Sequence, residues 1–182
     1  MVIILDEVTF LVRLLNDNWT AASTALADAN QTHGAITTPQ IIDVRSVEAN
    51  EGRRTDADSG AIIIIYEDSN STTYPTIDYA VRNDVFTFTV HIRVLYRRDF
   101  VNTDGNKITG RTRLQDLYRI VRYIIENNSL RPEVTTVDGG TTYRESADTI
   151  KITSRTDAND RGKKLLGYRL SVEMKRMGRS VA

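Results

Sequence analysis

Few residues in this chain are of types and spacings that could do chemistry. Gly162-Lys163-Lys164 sets two lysines behind a glycine, as a phosphate-cradling loop would. It lacks the upstream glycine and the following Ser or Thr, so it is expected to be a turn. Asn102-Thr103-Asp104-Gly105 partly matches a calcium loop. The position that should open the ligand set is Phe100, however, and the twelfth is Arg111, where a bidentate carboxylate is required. Asp56 and Asp58 are a carboxylate pair, but acid–base work needs one of them buried, and RRTDADSG has the composition of a solvated loop. His91 lies in an alternating stretch on the side of Thr87, Thr89 and Arg93. A general base there would need a nucleophile and an orienting carboxylate, so a satisfied surface or interface histidine is expected.

Composition narrows the classes further. The chain has 182 residues, 40% of them hydrophobic, which suits one domain with one core. Cysteine is absent and only His33 and His91 are imidazoles, which argues against a disulfide framework, a thiolate or multi-histidine metal site and a cysteine nucleophile. No cofactor is expected. No apolar run approaches the ~18 residues of a membrane span, and MVIILDEVTFLVRLL carries Asp6 and Glu7 where a leader would be basic.

The 24 basic and 24 acidic side chains cancel overall but are unevenly placed. Residues 161–182 hold Arg161, Lys163, Lys164, Arg169, Lys175, Arg176 and Arg179 against Glu173, a net +6. Residues 43–68 hold Arg45, Arg53 and Arg54 against Asp43, Glu48, Glu51, Asp56, Asp58, Glu67 and Asp68, a net −4. Such separation suits head-to-tail docking of copies, or simply two solvated faces. Arg111, Arg113, Arg119 and Arg122 share a helix, but no recognition-helix turn precedes it and no aromatic ladder accompanies it.

The elements that must position these residues follow from periodicity. Asp6 can cap a helix with Val8, Leu11, Val12, Leu14 and Leu15 on its apolar stripe. It is expected to fade at Asn16–Trp19, with a second short helix over 21–29. Strands are expected at 41–47 and 62–66, and four consecutive isoleucines imply cover on both faces, by a helix and by a neighbour or another chain. Residues 68–73 should turn and 76–80 extend. DVFTFTVHIRVLYRR, residues 84–98, alternates as one strand of roughly 40 Å, the diameter of the whole domain. From Arg111 the period becomes helical, with Leu114, Leu117, Tyr118, Val121, Ile124 and Ile125 inward and Arg113, Asp116, Arg119, Arg122 and Glu126 mostly off that face. A turn at 138–140, a strand at 149–154, a turn at 157–162 and a second long strand at 164–175 complete the chain. The expected fold class is α+β: a mainly antiparallel sheet with an N-terminal and a central amphipathic helix packed on one face.

This layout, with RLQDLYRIVRYIIENN as its central helix and LLGYRLSVEMKR as its closing strand, resembles the tail terminator, or tail-completion, proteins of long-tailed bacteriophages. The resemblance covers nearly the whole chain and is one of layout and size. It implies a single domain over 1–182 and a structural virion protein without catalytic residues. It further implies a ring, hexameric by this likeness, that caps the tail tube, ends its polymerisation and joins the tail to the neck or connector. Such a protein is assembled in the host cytoplasm, contacts no membrane, and lets viral DNA pass without sequence-specific binding. Its contact segments would be loops 48–60 and 99–110 and a C-terminal arm 176–182. The candidate contact residues are then Arg53, Arg54, Asp56, Asp58, Arg97, Arg98, Asp104, Lys107, Lys175, Arg176 and Arg179. Deleting 100–108 is expected to spare the fold and abolish assembly. The rival readings are another virion ring component, namely a neck protein or a tube subunit, then a small nucleic-acid-binding domain, then an enzyme.

Overall fold

A computed structural model of the chain describes residues 6–43, 60–73, 81–96, 99–101, 105–138, 141–160, 162 and 164–179. The elements in order are α1 (Glu7–Asp28), β1 (Gln40–Asp43), β2 (Ala61–Thr73), β3 (Val81–Leu95), β4 (Phe100–Val101), β5 (Lys107–Ile108), α2 (Gly110–Asn127), β6 (Glu133–Asp138), β7 (Thr141–Ser146), β8 (Thr149–Asp157) and β9 (Leu165–Arg179). The fold is α+β. Five strands form the main sheet in the order β1-β2-β3-β9-β8, parallel between β1 and β2 and antiparallel elsewhere.

The period-two pattern explains the sheet. Phe86, Phe88, Val90, Ile92 and Val94 of β3 stand in rows with Ile63 and Ile65 of β2 and with Leu166, Tyr168, Leu170, Val172 and Met174 of β9. Apart from the half-buried Tyr168, these side chains are buried, and they meet the stripes of both helices in one core. Both helices therefore cover one face of the sheet. The other face buries Ile62, Ile64 and His91 at one end, and among the described residues it is polar along the rest: Thr87, Thr89, Ser171 and Glu173 are half-buried, while Lys151, Ser154, Thr156 and Lys175 are exposed.

Each helix starts where a side chain can satisfy its free N–H groups. Asp6 accepts from Thr9 N–H at 3.0 Å, and Thr109 accepts from Thr112 N–H at 3.2 Å. Gly110 is needed for space, because a Cβ there would stand 2.7 Å from the Leu95 carbonyl oxygen.

Several expectations change. The N-terminal segment is one helix of 22 residues, with no break and no second helix. Asn18 stays inside it by donating to the Leu14 carbonyl oxygen, and Trp19, Ala22, Ser23 and Leu26 continue the buried stripe that Asn16 and Asp17 seemed to end. The expected turn at 68–73 is strand: β2 runs on to Thr73 through a bulge at Glu67/Ser69, carried by Ser and Thr side chains on an exposed ribbon. β3 ends at Leu95, short of the expected 98, and Tyr96 just beyond it is 56% exposed. A hairpin of β6 and β7 occupies 133–146, where only its turn was legible. All four isoleucines, Ile62 to Ile65, are buried within the single chain, so their burial needs no second copy.

The loop expected over 99–110 is a small hairpin of β4 and β5 whose Phe100 and Ile108 belong to the core. Deleting 100–108 would therefore remove core, which corrects the expectation that the fold survives it. The arm expected over 176–182 is strand as far as Arg179. Residues 180–182, the expected extended segment 76–80 and the strand continuation at 44–47 lie outside the described residues.

Candidate assembly interface

Of the expected contact residues, the structure describes Lys107, Lys175, Arg176 and Arg179. Arg53, Arg54, Asp56, Asp58, Arg97, Arg98 and Asp104 lie outside the described residues. Lys107 is exposed on β5, its backbone in register with Val101. Lys175 is exposed on the bare face of β9, 3.7 Å from Glu173, whose carboxylate also takes Lys151 at 2.9 Å. The Lys151 hydrogen bond is the main reason the Glu173 carboxyl sits below its ordinary range. Arg179 ends β9 opposite Val81.

Arg176 is a structural hub. Its guanidinium bridges Glu7 at the start of α1 and Glu145 on β7, each at 3.3 Å, and stacks 5.0 Å from the centre of the Phe10 ring. It thus clamps the last strand, the first helix and the β6–β7 hairpin together. Its side chain is engaged within the subunit and only 17% exposed. The sequence marks it only as one cation in a basic segment.

Two clusters escaped sequence reasoning. Asp116, placed off the inner face of α2 by its period, is fully buried. Its carboxylate accepts from the His33 backbone N–H at 3.2 Å and lies 3.1 Å from His33 Nδ1 and 3.4 Å from Arg119 Nη1, while Arg119 also donates to the Gln31 carbonyl oxygen at 2.7 Å. The cluster ties the turn after α1 to α2. No signal local to Asp116 reports this, because its partner is 83 residues away. An open groove of about 500 Å³ lies beside it, lined by Leu26, Asn30, Gln31, Arg119, Arg122, Tyr123 and Glu126. Arg122 and Glu126 in that lining pair with each other at 2.7 Å.

The second cluster surrounds His91, which is buried, not at the surface. Arg93 lies against the ring, with Nε 3.2 Å from Nδ1, so that the ring nitrogen accepts and the imidazole is neutral. Burial first, then the charges of Arg93 and Arg169, push its pKa down to about 4. Gly167 completes the site. A Cβ there would stand 2.8 Å from the Ala158 carbonyl oxygen and 3.1 Å from His91 Nε2. Among the described residues, no carboxylate or hydroxyl hydrogen-bonds the ring, and the arrangement is that of a packed neutral histidine.

Among the described residues, part of the sheet margin is exposed. β1 pairs with Ile62 to Ile65 only, so among the described residues the outer edge of β2 beyond Tyr66 has no neighbouring strand, and Glu67–Thr73 are exposed. At the other end of the sheet, Leu130 bridges Thr149 and Ser129 accepts from Ile150 N–H. Beyond them the outer edge of β8 is open from Lys151 to Asp157, again among the described residues. No family model matches the chain, and no curated protein matches it. No helix among the described residues is long and apolar enough to cross a membrane.

Proposed function

We propose that this chain is a ring-forming structural protein of a bacteriophage virion, a tail terminator that caps the tail tube, ends its growth and joins the tail to the neck. The observation that supports it is the form of the sheet. Among the described residues, two strands of 15 residues run through a sheet whose two helices pack on one face and whose edge strands are β1 and β8. A domain built around a small-molecule site concentrates convergent polar groups in a concave pocket. Here the ion pairs of Arg176 and Asp116 hold elements together. A slab whose helices pack on one face is suited to be a wall segment.

In this reading the partners are further copies of the chain, the tail tube protein and the neck or connector proteins, and the place of action is the virion. The bare face mixes Thr and Ser hydroxyls with Lys151 and Lys175 held on Glu173, which suits DNA passing without being gripped. Negative-stain electron microscopy of the purified protein at high concentration, alone and with tail tubes, tests the proposal. Closed rings with a central hole that do not elongate are expected. Filaments would reassign the chain as a tube subunit, and monomers under both conditions would overturn the ring.

A further inference from the structure

We infer that Arg93 and Arg169 form a binding site for a phosphate group, inorganic or carried on a nucleic-acid backbone, on the face of the sheet opposite the helices. The inference goes beyond the ring reading and does not depend on it.

The strand ladder brings the two side chains together. Arg169 of β9 stands directly across from His91, and Arg93 follows His91 by two residues along β3, so both arginines rise from the same face as diagonal neighbours. Such positions lie about 7–8 Å apart, within reach of long side chains. Burial first, then repulsion from Arg169, holds the pKa of Arg93 below its ordinary value, and both arginines act on His91. The two guanidinium groups therefore share one neighbourhood.

What fixes Arg93 is a neutral group. Its Nε and Nη2 lie 3.2 and 3.1 Å from His91 Nδ1, and burial keeps that imidazole uncharged. A carboxylate in the same place would hold the guanidinium and cancel its charge at once, whereas the imidazole only holds it. Arg82, Arg119, Arg122 and Arg176 each meet a carboxylate in an ion pair. Arg93 and Arg169 meet none among the described residues. Tyr66 and Asp160 do attract Arg93, but each acts on it less than Arg169 repels it. The site keeps a surplus of positive charge.

Access and chemistry agree. Arg93 is half-buried and Arg169 exposed, so an ion can arrive from solvent and meet a donor partly withdrawn from water, where its attraction is less screened. Guanidinium forks match phosphate oxygens bidentately, and two of them can share one tetrahedral group.

Isothermal titration calorimetry of the full chain with sodium phosphate at neutral pH, ionic strength held constant with chloride, tests the site beside fluorescence anisotropy with a labelled DNA duplex of mixed sequence. The variants are Arg93→Gln, Arg169→Gln and, as a control for overall charge, Arg111→Gln at an exposed position of α2, with circular dichroism to check that each is folded. Because Arg169 is exposed, its variant decides the matter should Arg93→Gln fail to fold. Saturable phosphate binding is expected, weakened about tenfold by R93Q and by R169Q and unchanged by R111Q. Duplex binding lost in the same two variants would support the site and assign its phosphate to nucleic acid. Phosphate binding lost in them while the duplex is unbound, or bound alike by all variants, would support it with a free ion as ligand. Wild type that binds neither probe, binding that R169Q leaves intact, or an equal loss in R111Q would overturn the inference.

Discussion

His91 shows how one residue can carry two opposite readings. In sequence it is a lone imidazole on the polar side of a strand; in the fold it is buried, neutral and flanked by Arg93 and Arg169, with Ile64 as its cross-strand neighbour. Tyr66 and Asp160 act on the same Arg93 from neighbouring segments. The folded pKa of about 4 lies below the ordinary 6.5, so between those values the unfolded chain binds the extra proton. Stability from this group is complete above pH 6.5 and is lost as pH falls toward 4, by up to about 3 kcal/mol. Urea denaturation of wild type and His91→Gln at pH 7.5 and 4.5 checks it. Both proteins lose stability through their carboxylates, and the wild type should lose more. An equal loss would mean that the ring is solvated in the fold. Asp116 carries the same lesson in reverse. Its helical period places it outside, and only the turn holding His33, packed across from another part of the chain, makes its burial tolerable.

At the scale of elements, what was legible depended on how long a pattern persisted. The stripe of α2 and the alternation of β3 and β9 each repeat over four or more turns or pairs, and the structure puts all three where the pattern demands. Short elements have no such length. β4 and β5 have two residues each, and their polar neighbours hide that Phe100 and Ile108 fill a gap between the end of β3 and α2. Arg113, stacked 5.5 Å over Phe100, closes the gap. Phe100→Ala and Ile108→Ala are each expected to cost about 2–4 kcal/mol in chemical denaturation, whereas Lys107→Ala should cost less than about 0.5. If all three were alike, the hairpin would be a surface loop after all, and the simple deletion would again be a fair test of assembly.

For the molecule as a whole, charge counted along the chain overstates the poles. Of the basic residues near the C-terminus, Arg176 is neutralised by Glu7 and Glu145, and Lys175 shares Glu173 with Lys151. Assembly of copies should therefore weaken by about tenfold or less between low and high salt, measured by sedimentation velocity. A loss of several hundredfold would restore docking by opposite poles. Sequence alone determined the class of fold, the central helix, the start of the first helix and the long strands β3 and β9, because burying a repeating apolar face has one geometric solution at each period. It also determined what chemistry the chain cannot mount through thiols, since it has none. Only the tertiary structure decided that Arg176 is a clamp, that His91 is neutral and buried, and that β3 and β9 lie side by side at the middle of the sheet with β8 at one edge. Those properties belong to which strand lies beside which, and strand order is set by contacts between residues far apart in the chain, which no local pattern records.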